Sequence, residues 1–261
     1  VLHGFCGNQK NKKGSGFIVM NFFGLSQPTR FLMLSKYLTP LLLCLFLGAL
    51  TYGLYQSLYI SPPDYQQGES VRLMYIHVPA AWMALFIYVS MGIASAIFLI
   101  FRHNLASLYC RSVAPLGMMF TVICLITGSI WGNLTWGAYW VWDARLTSVL
   151  ILLFLYIGYW VLKDAYRHVE KGEKMASILV LIGLVNIPVI KFSVDWFQTL
   201  HQPASFRAFQ RPSIHPDMLV PLLWMACAYF LLYGLLTLWR MQSLSWERKI
   251  KRLQMKQKGI S

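Results

Sequence analysis

Between Leu73 and Phe101 the chain reads LMYIHVPAAWMALFIYVSMGIASAIFLIF, and it holds no Asp, Glu, Lys or Arg. About 20 apolar residues let a helix cross a hydrocarbon core of ~30 Å, so this stretch alone predicts a transmembrane span. Comparable runs lie on either side, at Leu38 to Ile60, Ser112 to Trp131, Leu146 to Leu162, Met175 to Phe192 and Leu219 to Trp239. In an apolar solvent every backbone N–H and C=O must find an internal partner. Each run is therefore expected to be helical, even with Pro79, Pro115 and Pro188 inside. Composition agrees, since 57% of residues are apolar and 12% charged, where a soluble domain has about 25% charged. The expected fold class is an all-α integral membrane protein of six transmembrane helices. It divides into an N-terminal arm over 1–37, a membrane domain over 38–241 and a basic tail over 242–261. No internal repeat and no soluble domain is visible.

The 23 Lys and Arg against 9 Asp and Glu give a net charge of +14. Eighteen of the cations fall in the N-terminal segment, the second and fourth loops and the C-terminal tail; the other five are Arg72, Arg145, Lys191, Arg207 and Arg211. The positive-inside rule then puts both termini in the cytoplasm, and the charge needs no nucleic acid to explain it. The arm is glycine- and lysine-rich, shows no signal-peptide cleavage pattern and is expected to be mobile. Met20 stands ahead of a short lead-in, so residues 1–19 read as an extension from an upstream start. The five cysteines, Cys6, Cys44, Cys110, Cys124 and Cys227, are scattered without CxxC spacing, so no disulfide framework or zinc site follows. The absence of CxxCH means that any haem is held reversibly.

This topology places WGNLTWGAYWVWD, from Trp131 to Asp143, in one outer loop, with Trp131, Trp136, Trp140 and Trp142 among the chain's ten tryptophans. Indoles gather at both faces of a bilayer, and an aromatic belt is the plain account. A belt scatters its rings over many helix ends, whereas this cluster is one loop with Gly132 and Gly137 to turn it. Such a loop offers an apolar shelf to a large planar ligand. His77, in YIHVPAAW, and His201, in VDWFQTLHQP, fall on the same side. Alone, each reads as a satisfied interfacial histidine; together, flanking the aromatic loop, they can fill both axial positions of a haem iron. His215 is the rival ligand. Haem carries two propionates, which are costly to bury unpaired. Arg72 and Arg145 flank the outer ends of their spans, where headgroup anchoring is the alternative role. Asp143 can cap the fourth span. Trp196, Phe197 and Leu200 have the spacing of a short amphipathic helix on the membrane surface.

These stretches, with PPDYQQG and LVNIPVIKFSVDWFQTLHQ, closely resemble the haem-handling membrane proteins of cytochrome c maturation that form the CcmC family, from about Leu38 to Met241. The resemblance implies a multi-pass protein of the bacterial inner membrane that presents haem b at the periplasmic face. Iron would be held by His77 and His201, on a platform of Trp131, Trp136, Trp140, Trp142 and Asp143. It implies as partners the small subunit CcmD, the ABC transporter subunits CcmA and CcmB, and the haem chaperone CcmE, which receives the haem. This chain has no GxxxxGK[ST] loop, so ATP hydrolysis is assigned to a partner and the chain is read as non-enzymatic. The long arm and QPASFRAFQRPSIHPDM after His201 depart from the shared pattern.

Two other readings compete with this one. A haem path across the bilayer formed by this chain itself finds little in the sequence, because the candidate ligands all lie on one face. A b-type electron carrier would need histidines facing one another inside the bundle.

Overall fold

The computed structural model describes residues 28–201 and 214–257. Most of the expected arm and of the divergent segment after His201, with Arg207 and Arg211, lie outside the described residues. Among the described residues the chain is helical, with no strand and one isolated bridge between Asp64 and Gly68. Six helical segments are long and apolar enough to cross a membrane.

Helix α1 (Pro28–Tyr55) opens on a proline, whose missing N–H costs nothing in a first turn. It thus begins before the expected boundary at Leu38 and ends in a π-helical turn at Gln56–Ile60. A short connection and a 3-10 turn (Glu69–Leu73) lead into α2 (Met74–Phe101), which stops where Arg102 adopts a left-handed conformation, φ 53°. The chain reverses at once into α3 (Asn104–Trp136), so α2 and α3 form a tight antiparallel pair. Helix α3 carries five residues of the expected loop beyond Trp131. It ends at Trp136 because Gly137, φ 75°, takes the left-handed position and bonds back to the Asn133 carbonyl at 3.0 Å. Only the stretch from Gly137 to Asp143 is a connection.

Helix α4 (Ala144–Asp164) starts on an Asp143 cap, with Oδ1 accepting from the Leu146 N–H at 2.7 Å. The fifth span is two helices, α5 (Val169–Gly183) and α6 (Asn186–Trp196). The interruption has a cause in Pro188. A proline ring collides with the carbonyl four residues earlier, here Leu184, and supplies no N–H to it. The ladder breaks there, and Pro188 falls in the first turn of α6, where it is tolerated. The surface helix expected through Leu200 does not form. Phe197 turns extended (φ −129°, ψ 154°) and the following residues run as irregular chain to His201. Helix α7 (Pro216–Gln257) has 42 residues, about 63 Å at 1.5 Å per residue. It therefore continues from the last span well into the basic tail.

The main core lies between α2, α3, α4 and α5, around Met83, Ile87, Tyr88, Phe120, Leu152 and Tyr156. A second cluster joins α2 to α7 through Tyr75, Met218, Leu222 and Met225, with Trp82 and Trp131 against it. It walls the end of the bundle where the Trp-rich connection lies. At the opposite end, ionic contacts tie α3, α4, α5 and α7 together. Glu173 accepts from Arg111 at 3.2 Å and from Arg248 at 3.4 Å, and Arg111 also reaches Asp164 at 3.6 Å. The buried Lys163 pairs with Asp164 and sits over the Trp160 ring. These contacts bring together cations that charge counting had assigned to one side.

Candidate functional site: a cavity lined by histidine and tryptophan

His77 sits near the start of α2 and faces α3 at Gly128. A Cβ at Gly128 would lie 2.8 Å from the His77 Cε1 atom, so the imidazole is seated in the space that a missing side chain leaves. Its Nδ1 is 3.0 Å from the Cys124 carbonyl oxygen and 3.2 Å from Thr127 Oγ1. A carbonyl can only accept, so Nδ1 carries the hydrogen and Nε2 keeps its lone pair. His201 reaches the same result by another route, its Nδ1–H donating to Asp143 Oδ2 at 2.8 Å. Asp143 therefore caps α4 with one oxygen and orients His201 with the other. Burial holds the His201 imidazole below the usual histidine value of 6.5. Asp143 pulls the other way, by field and by hydrogen bond, and Arg145 adds to the depression. The ring is therefore neutral at pH 7.

Both imidazoles line one cavity of about 1390 Å³, larger than the ~300–1,000 Å³ usual for small-molecule sites. Each has its own indole. Trp131 meets His77 edge-on with centroids 5.7 Å apart, and Trp136 meets His201 edge-on at 4.9 Å. The Trp131 Nε1–H donates to Gln67 Oε1 at 2.8 Å, which ties the α1–α2 connection to the rim. Arg145, in the first turn of α4, also lines the cavity, with Nε donating to Ser193 Oγ at 3.1 Å.

Other expected site residues are placed elsewhere. Trp140 and Trp142 pack edge to face on each other, centroids 5.5 Å apart, and do not line the cavity; Trp142 is 77% exposed. The Arg72 guanidinium is taken up by Glu69 and the Ser57 carbonyl. Asp143 stands behind His201 and not on the cavity wall. His215 lies at the rim, where its Nδ1 accepts the Asp217 N–H at 3.3 Å. That bond leaves the proton on Nε2, the wrong tautomer for a ligand through that atom. Lys191, Gly128 and Gln67 were missed. Lys191 alone carried a signal, as a lone cation within IPVIKFSV.

The fold and cavity define a multi-pass helical membrane protein with a large cavity at one end of its bundle. The chain belongs to the CcmC family, described as heme exporter protein C, which matches residues 21–256. It is 45% identical to the heme exporter protein C of Bradyrhizobium diazoefficiens over 238 residues, covering 91% of this chain and 90% of that protein. It is likewise 45% identical to the heme exporter protein C of Escherichia coli K12 over 220 residues, 84% of this chain and 89% of the relative. A putative cytochrome c biosynthesis ccmC-like mitochondrial protein of Marchantia polymorpha is 48% identical over 192 residues, 74% of this chain and 80% of the relative.

Proposed function

We propose that this chain holds haem b as cargo in the cavity between His77 and His201 and delivers it to a haem chaperone during cytochrome c maturation. The observation that carries the reading is the pair of tautomers. Each imidazole commits its Nδ1 hydrogen to a protein acceptor, both rings line the same cavity, and among the described residues no hydrogen bond to either Nε2 is present. Metal-bound histidines are held in this way, because the outer hydrogen bond sets both ring orientation and basicity. The donor chemistry fits haem: two neutral imidazoles for iron, Trp131 and Trp136 for the porphyrin, and Arg145 for a propionate.

Asp143 acts through His201, and the exposed Trp142, packed edge to face on the half-buried Trp140, offers an aromatic surface suited to meeting a partner. In this reading the cavity opens to the periplasm from the bacterial inner membrane and both termini are cytoplasmic. The small subunit CcmD and the transporter subunits CcmA and CcmB assemble with the chain, and CcmE takes the haem. Arg72 keeps a propionate role only if its contacts to Glu69 and Ser57 open.

The test is to purify the full chain and its His77→Ala and His201→Ala variants and record haem content and visible spectra. The reading expects a low-spin bis-histidine spectrum in the parent and its loss in each variant. An unchanged spectrum in both variants overturns the ligand assignment.

A further inference from the structure

Among the described residues two cations, Arg145 and Lys191, line the cavity together with Asp64 and Asp217, and no ion pair joins either cation to those two carboxylates, although Asp143 and Asp195 lie within the field of Arg145. Arg145 gives its Nε hydrogen to the neutral hydroxyl of Ser193, on α6. Lys191 lies on the same helix and also lines the cavity. Among the described residues no hydrogen bond or ion pair to its ammonium is present. Lys191 stands one residue from the end of its expected span and is exposed, so its charge can reach water without a protein anion and is available to a ligand in the cavity it lines. Arg72 offers the contrast, because Glu69 and the Ser57 carbonyl already satisfy it. The two cations of the described lining thus both stand on its α4–α6 side, while the walls from α2 and α7 present Met74, Trp82, Met218 and Leu222, with Asp217 at the start of α7 and Asp64 in the α1–α2 connection as the lining's carboxylates.

We propose that Lys191 and Arg145 form a two-point carboxylate clamp, with Lys191 the residue that makes the cavity select planar ligands bearing two carboxylates on one edge. The inference rests on the haem reading above and deepens it. Haem belongs to that ligand class through its propionates, and the apolar walls receive the edge that lacks them. A diester of the same porphyrin keeps iron, ring and shape and loses only the charges. It therefore isolates the clamp from the axial ligands.

The experiment titrates the full-length protein in detergent with haem and with haem dimethyl ester, following tryptophan quenching for affinity and the visible spectrum for ligation. The parent is expected to bind haem about a hundredfold more tightly than the diester, about tenfold for each of two charge-assisted contacts. Lys191→Met should weaken haem about tenfold and so keep only the Arg145 share of that preference, leaving the diester and the bis-histidine spectrum unchanged. Lys191→Arg should restore the full preference. Equal affinity of the parent for haem and diester overturns the clamp without recourse to any variant. So does a Lys191→Met protein that keeps the parent's preference. Loss of the bis-histidine spectrum in the parent overturns the axial assignment instead, and the quenching ratio still decides the clamp.

Discussion

Asp143 and His201 are joined at 2.8 Å, and the same carboxylate closes the first turn of α4 through the Leu146 N–H. One side chain thus couples the start of a membrane helix to the orientation of a candidate iron ligand. Asp143→Asn separates the two roles. Its amide oxygen can still cap the helix, but its NH2 then faces His201 and favours the tautomer protonated on Nε2. Haem affinity should fall about 10–100-fold, the usual cost of losing such an outer partner, with the helical circular dichroism unchanged. Titration with haem checks both.

The seating of His77 gives a second prediction. Gly128→Ala puts a Cβ 2.8 Å from the imidazole Cε1, and overpacking of this kind costs about 1–3 kcal/mol. The ring must shift away from the Cys124 carbonyl, so haem affinity should drop about tenfold or more. Gly48, whose added Cβ meets nothing within 4 Å, is the control: Gly48→Ala should leave binding intact.

The acid dependence of binding follows from His201. Its value lies below 6.5 because burial outweighs Asp143, so the neutral, ligating ring persists to lower pH than in a free imidazole. Haem affinity should be level above about pH 6.5 and fall only as the medium becomes more acid. Asp143→Ala removes the group that favours the charged ring and should move the acid limb to still lower pH. The stability effect has the same sign. The folded state takes up fewer protons at His201 than the unfolded chain, so its contribution is complete above about pH 6.5 and is lost as pH falls toward the folded value. Haem titrations and thermal melts across this range read both effects.

At the far end of the bundle, Glu173 answers Arg111 and Arg248. Glu173→Ala leaves Arg111 with only the longer contact to Asp164, and a partly buried charge stripped of its partner costs roughly 1–3 kcal/mol. The melting temperature should drop while haem affinity stays at the parent value. A change in affinity would mean that the two ends are coupled.

Hydropathy located the six spans, because crossing a hydrocarbon core imposes a length and a composition that a single sequence displays. Their ends were less legible. The glycines and polar residues of WGNLTWG suggested a loop, yet Gly137 alone occupies the left-handed position and α3 runs to Trp136. The break between α5 and α6 was encoded by Pro188, but as a clash four residues upstream and not at the proline itself. His77 and His201 could be read as facing one chamber, since spans alternate in direction and both stand near the same end. Which cation faces the chamber could not be read. Arg72 and Lys191 lie on the same side of the topology, and only the packing shows that the 3-10 turn engages Arg72 with Ser57 and Glu69 while the exposed Lys191 of α6 lines the cavity.

The interruption at Leu184 also bears on how the proposed cargo would be let go. A continuous fifth span would weld His201 to the bundle, so that loosening one axial bond meant disturbing the whole scaffold. Split as it is, the span ends in an eleven-residue segment that leads directly to that ligand and carries Lys191. In the proposed reading, a small tilt of this segment would slacken the contacts of His201 and Lys191 together, while His77 stays seated against Gly128 of α3.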